Sequence, residues 1–348
     1  MRSVIVAWCK SNAQKFEQAV PLHFVGKRNQ RLNFSSKLDV LFLEGFERLD
    51  ERYKDNLIES GYILHNANSI YVELERSFQA LDQFGDYEKK CFLRWLVIAR
   101  YFAKEKIIHY DGDIVFNESP DQLAKKFSGK TFILQGCPAL TVVNQPDWFD
   151  QYYHHLTLFA NNVATYSAQA WDRRINAADA HTRWLGYRDR PLISSDQDLF
   201  RHLLYTQEIY QDDLSQILQG LENYILFENP LYLDAYHPQS LPFQYERRQG
   251  IDFLGSQQVM LWHMQSTFSA YLCDFIFRKQ YLPWKFGQLP QKGVEAKLRE
   301  SGQKYLRLKP LSRLDVYQYF FDQSDFQELF TEHCWWRRSV FKEPVQQP

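Results

Sequence analysis

Two aspartates separated by one glycine, Asp111-Gly112-Asp113, follow the apolar run Ile107-Ile108-His109-Tyr110. The run reads as a buried strand, and acids that end such a strand lie at the carboxyl edge of a sheet, where α/β proteins build ligand sites. Paired carboxylates there suit a hard divalent cation, because Mg2+ or Mn2+ takes oxygen ligands and substrate phosphates often complete the shell. Gly112 is expected to let the backbone turn tightly between the acids and let a ligand approach. The plainer alternative is an acid-capped turn after a strand.

Three other places carry chemistry. In Ser195-Asp196-Gln197-Asp198 a serine at an N-cap position precedes two acids, and the dipole of the following helix favours their ionised form. Either Asp196 or Asp198 could take a proton from a hydroxyl, and either could simply cap the helix. His263 closes a late apolar run, as a metal ligand or as a hydrogen-bonded core histidine. Arg94 lies on the helix before the Asp111 strand, where its planar fork could grip a phosphate or pin an acid in an ordinary salt bridge.

Apolar, β-rich runs at residues 3–8, 38–43 and 62–65 predict the first three strands. Residues 87–104 intersperse Cys91, Leu93, Trp95, Leu96, Ile98 and Phe102 with charges and predict a mostly buried helix feeding the Ile107 strand. Strand-like runs follow at 131–134 and 139–143, and residues 147–180 have helical spacing. A helix is expected from Asp196 to about Tyr205, with further strands at 225–227 and 259–263. Alternation of strand and helix predicts an α/β sandwich, a Rossmann-like mixed and mainly parallel sheet between helices. From about residue 275 the chain turns basic and aromatic, predicting one domain over 1–274 and a helical C-terminal extension over 275–348.

The 348 residues suffice for a sizeable core, and the formal net charge of −1 gives no reason to expect a nucleic-acid partner. Aromatic residues make up 16% of the chain, enough to supply sugar- or base-stacking rings as well as core. The five cysteines (Cys9, Cys91, Cys137, Cys273, Cys334) form no Cys-x-x-Cys pair, which argues for reduced thiols over a zinc knuckle or a disulfide framework. No stretch reaches the length of a transmembrane segment and the start lacks a signal-peptide pattern, so a cytoplasmic protein is expected.

Taken in order, Phe92-Leu93-Arg94-Trp95, Tyr110-Asp111-Gly112-Asp113, Ser195-Asp196-Gln197-Asp198-Leu199-Phe200 and Leu261-Trp262-His263-Met264-Gln265 resemble the metal-dependent, nucleotide-sugar glycosyltransferases of the A-type (Asp-x-Asp) fold. The likeness spans residues 3–274 and implies that the domain over 1–274 is catalytic. It implies an enzyme that moves a sugar from a nucleotide-diphosphate donor, a UDP-sugar above others, to a carbohydrate or small hydroxyl acceptor. By position it implies Asp111, Asp113 and His263 as ligands of Mn2+ or Mg2+, with Trp8, Arg94 and Gln197 joining Asp111 and Asp113 in holding the donor. It implies Asp196 and Asp198 as the catalytic acids, and the Asp-Gln-Asp wording is closer to the retaining branches. Trp171, Trp184 and Tyr187 fall where such enzymes stack acceptors. A Lys-Pro-Trp does not follow His263; Pro283-Trp284-Lys285 comes later, and Lys279 or Lys285 would have to reach back to the phosphates.

Two rivals use the same residues. A phosphatase of the haloacid-dehalogenase type also needs a strand followed by Asp-x-Asp, with Asp111 as nucleophile, Asp113 as general acid and Val115 two places on. Against it, the motif falls after several strands, and Asp212-Asp213 sits in a helix-like stretch. A carbohydrate-binding protein of the same fold without turnover is the other rival.

Overall fold

A computed structural model describes residues 1–8, 22–34, 37–49, 51–134, 138–176, 193–219, 224–227, 245–254 and 257–263. In chain order the elements are β1 (Arg2–Trp8), α1 (Leu22–Arg31), β2 (Leu38–Glu44), α2 (Glu51–Glu59), β3 (Tyr62–Asn66), α3 (Asn68–Ser77), α4 (Asp86–Tyr101) and β4 (Ile107–Tyr110). Then follow β5 (Ile114–Phe116), α5 (Pro120–Lys126), β6 (Phe132–Ile133), β7 (Leu140–Val143), α6 (Trp148–Asn161), α7 (Val163–Asn176), α8 (Asp196–Thr206) and α9 (Leu214–Gln219). The last are β8 (Tyr224–Phe227), β9 (Tyr245–Arg248), β10 (Ile251–Leu254) and β11 (Gln257–His263).

The main sheet has the order β3-β2-β1-β4-β7-β6. Pairing is parallel from β3 through β4 and antiparallel at β4–β7 and β7–β6. The expected mixed, mainly parallel α/β sheet is therefore present. Its central strands are buried on both faces, which is why their sequences are mostly apolar instead of strictly alternating with polar residues, with Asp39 of β2 and His109 of β4 buried among them. Successive side chains of a strand point to opposite faces. Ile5 and Ala7 of β1 join one core with Val40, Phe42, Ile108 and Tyr110. Val4 and Val6 join the other, with Leu41, Leu43 and the buried side of α4.

A second sheet, β5-β11-β10-β9 with β8 beside β11, departs from the main one directly after the aspartates. Apolar Ile114-Val115-Phe116 does not continue β4; it pairs antiparallel with His263-Trp262-Leu261 of β11. Buried Arg28 of α1 anchors the junction by donating to the Phe116 carbonyl, to Asn117 Oδ1 at 2.7 Å and to the Gly250 carbonyl at 2.7 Å. Gln249 and Gly250 both have positive φ, the requirement of a tight two-residue hairpin between β9 and β10.

Helix α4 is buried continuously from Lys90 to Ala99, as its apolar composition demands. It ends at Tyr101, three residues before the sequence reading placed its end, because Ala103 and Lys104 take left-handed φ and the Lys104 N–H bonds back to Ala99. Gly112 is not among the described glycines with positive φ, so the turn between the aspartates does not draw on that freedom. No described helix is long and apolar enough to cross a membrane. Cys91 is a buried free thiol. Cys9, Cys137, Cys273, Cys334, Trp184, Tyr187, Lys279, Pro283-Trp284-Lys285 and the whole 275–348 segment lie outside the described residues, as does the Trp171 side chain on α7.

Burial lowers His23 on α1 and His109 on β4 to about 3, helped by Lys27 for the first and Arg94 for the second. In the unfolded chain both take a proton near 6.5, so between about 6.5 and about 3 the unfolded state binds more protons and acid favours it. Stability should therefore fall with falling pH, at up to about 1.4 kcal/mol per pH unit for each histidine. Urea unfolding at pH 7 and pH 5 checks this, with His23→Phe expected to show the smaller loss.

Candidate functional site

The strand order locates the site before any side chain is considered. From β1 the chain moves outward to β2 and β3, then returns to the other side of β1 to form β4. Such a reversal opens a crevice outside the carboxyl ends of the two neighbouring strands, the usual ligand site of open α/β sheets. Trp8 ends β1 and Asp111 follows β4, so both flank that crevice. The pairing of β1 with β2 shifts register between Ala7 and Trp8, an irregularity of the kind that re-aims a side chain. Half-buried Trp8 meets the ring of Tyr87 edge-on, with centroids 5.5 Å apart, and Tyr87 is itself 51% exposed.

At the centre of the site stands Arg94. Its Nε donates to Asp196 Oδ2 at 2.8 Å, a terminal nitrogen forms an ion pair with the same oxygen at 2.7 Å, and its other terminal nitrogen donates to Asp111 Oδ1 at 2.7 Å. Trp95 Nε1 also donates to Asp196 Oδ2, at 2.9 Å. Burial pushes the Asp196 carboxyl above its ordinary value, and Arg94 and the Trp95 hydrogen bond oppose that rise. Burial also works against the Arg94 charge, but Asp196 and then Asp111 outweigh it and hold the guanidinium firmly protonated. One turn before Arg94, Lys90 pairs with Glu44 Oε2 at 2.9 Å, tying α4 to the end of β2 as well.

The predicted residues thus separate by role. Asp111 and Asp113 stand together on the turn after β4, with the Asp111 side chain 25% exposed. Asp196 is fully enclosed at the first position of α8 and serves Arg94. Gln197 and Asp198 are half-buried in the same first turn. Ser195 occupies the N-cap position without a side-chain cap hydrogen bond. Asp198 reaches back instead, its Oδ2 accepting from the Ser194 N–H and hydroxyl at 3.1 Å each. The backbone of His263 lies opposite Ile114, next in sequence to Asp113.

Among the described residues no group of three or more His, Cys, Asp or Glu side chains could hold a metal ion. The donors present, two carboxylates on a partly exposed turn, fit the Mg2+ pattern of one or two protein carboxylates completed by substrate phosphates; they do not form an all-protein cage.

Reading the sequence for motifs missed four neighbours. Tyr87, Cys91 and Arg94 recur at helical spacing and so share one face of α4, a signal available in the sequence. Burial, then Asp196, raises the Cys91 thiol far above its ordinary value, which makes it unreactive. Trp95 adjoins Arg94, and only the position of α8 shows that its indole serves Asp196. His109 lies two residues before Asp111 and hence on the same face of the sheet.

Arg94→Leu should cost about 3–5 kcal/mol, because it leaves the Asp196 carboxylate buried without a counter-charge. Asp113→Asn, on a half-exposed turn, should change stability by less than about 1 kcal/mol. Urea unfolding of the two variants beside the parent checks both expectations. No family model matches this sequence, and no curated protein matches it.

Proposed function

We propose that the protein is a divalent-metal-dependent glycosyltransferase of the A-type fold, which moves a sugar from a nucleotide-diphosphate donor to a hydroxyl acceptor. The observation that carries this reading is the pair Asp111 and Asp113 at the carboxyl end of β4, beside the strand-order reversal, with Asp111 held by Arg94. Two carboxylates set against one guanidinium leave surplus negative charge, and it falls on the partly exposed Asp111. That is the electrostatics of a cation site. Bound Mg2+ or Mn2+ would supply Lewis-acid neutralisation of the charge developing on a departing nucleoside diphosphate.

The chain's own residues divide the remaining work. Asp111 and Asp113 would hold the cation, with His263 a further ligand by the register of its backbone opposite Ile114. Trp8 and Tyr87 offer aromatic surface at the mouth of the same crevice, suited to a nucleotide base or a sugar ring. Asp196 acts through Arg94, and Asp198 is the acid of α8 left for contact with sugar or acceptor. The 275–348 segment would be a helical extension of the catalytic domain, and a retaining outcome agrees with the Asp-Gln-Asp wording.

The geometry favours this reading over phosphate hydrolysis. A nucleophilic Asp111 would attack with an oxygen's charge already drawn onto Arg94 at 2.7 Å, which weakens it. Asp212, the acid that the rival would need, instead accepts from the Thr131 N–H at 2.6 Å.

Incubation with UDP- and GDP-sugars should release the nucleoside diphosphate slowly with Mn2+ or Mg2+ and not with chelator. Asp111→Asn combined with Asp113→Asn should lower that rate by more than the roughly ten- to a hundredfold typical of outer-shell changes at metal sites. Cleavage of a generic aryl phosphate would favour the phosphatase. Nucleotide-sugar binding without release would favour a binding protein, and undiminished release by the double variant would remove Asp111 and Asp113 from the site.

A further inference from the structure

We propose that His109 is a positioning residue for Asp111, its Nε2 lone pair keeping the carboxylate turned onto Arg94 and toward the sheet edge. The inference rests on Asp111 being a ligand-holding carboxylate. His109 is wholly buried on β4, and the alternation of the strand sets it on the α4 face beneath Asp111. Its Nδ1 lies 3.0 Å from the Pro138 carbonyl, which can only accept, so Nδ1 carries the proton. That assignment makes Nε2 an acceptor. Among the described residues it has no hydrogen-bond partner, and the nearest oxygen of Asp111, Oδ1, stands 4.0 Å away.

Buried polar atoms are nearly always paired, so an unpaired one facing a site carboxylate needs a physical reason. The two facing groups are both acceptors. If Asp111 relaxed inward it would press a negative oxygen onto a lone pair in a medium with little screening. The ring itself cannot yield, because Trp95 packs edge-on against it with centroids 4.8 Å apart while Pro138 holds the opposite nitrogen. Asp111 therefore keeps its 2.7 Å bond to Arg94 and stays at the crevice. The lone pair also adds to the negative potential around Asp111, which favours a cation there. A phenylalanine would fill the same space on Trp95 but would lose both the Nε2 lone pair and the bond to the Pro138 carbonyl, which the glutamine variant helps to tell apart.

The variants His109→Phe and His109→Gln test the proposal. The first keeps a ring and removes the lone pair; the second can present an N–H to Asp111 in its place. The first readout needs no metal: in a crystal structure of His109→Gln, Asp111 should leave Arg94 for the new donor while Arg94 stays on Asp196. The second is the affinity for Mn2+ added as the only ligand, read from the electron paramagnetic resonance of free manganese. Both variants should bind roughly tenfold more weakly, the usual effect of an outer-shell change. Asp111 unmoved in the glutamine variant, or parental Mn2+ affinity in a folded variant, would overturn the proposal. If the parent protein binds no Mn2+ while Asp111 still moves, the metal reading fails and the positioning role stands. Thermal unfolding shows which variants fold, and His109→Gln decides by itself if the phenylalanine variant does not.

Discussion

One guanidinium holds together the parts of the chain on which the site depends. Arg94 comes from α4, Asp111 from the end of β4 and Asp196 from the start of α8, 102 residues beyond Arg94 in the chain. A charge buried in this way is expensive unless it is paired and hydrogen-bonded, so the three elements cannot separate without exposing uncompensated charge to a low-dielectric core. Two nitrogens of Arg94 converge on one oxygen of Asp196, and the remaining nitrogen donates to Asp111. Asp196 thereby governs the site without lying at its surface. Asp196 is the buried acid of the pair and Asp111 the partly exposed one.

The sheet supplies what Arg94 cannot. Both faces of β1, β2 and β4 are buried, and strand alternation assigns every residue to one of two cores. On β4 this sends Ile108 and Tyr110 to one core and His109, with Asp111 after it, to the α4 side where Arg94 waits. A shift of one residue in the pairing of β4 would put the acid against the other core. The parallel register between Arg2–Ile5 and Ile107–Tyr110 therefore matters as much to the site as the aspartates do. Buried Arg28 plays a comparable part for the second sheet, bonding β5 and the β9–β10 turn and so bringing β11 past Ile114.

Much of this was legible beforehand. Apolar runs marked β1, β2 and β4 as buried strands, and α4 was marked by apolar residues at helical spacing among its charges. What escaped was of two kinds. Short α1, α2 and α3 are mostly polar, and their helical state comes from packing one side on the sheet, which no local pattern specifies strongly. The departure of β5 from the main sheet was also hidden, because Ile114-Val115-Phe116 has the composition of a strand that could join either sheet.

The sequence by itself determined which residue types can do chemistry and roughly where: two carboxylates closing an apolar strand, an arginine in the helix before it, an acidic first turn in a later helix. It did so because strand and helix periodicities are local, and acids at strand and helix ends are constrained by chemistry that spans a few residues. Only the tertiary structure decided what each acid is for. Asp196 and Asp198 are equivalent in a linear reading, two acids in one turn, yet one lies in the core beneath Arg94 and Trp95 while the other reaches back to Ser194. That difference arises from the docking of α8 against α4, a contact between distant parts of the chain. The same holds for His109, whose lone pair has meaning only because folding places Pro138 on one side of the ring and Asp111 on the other.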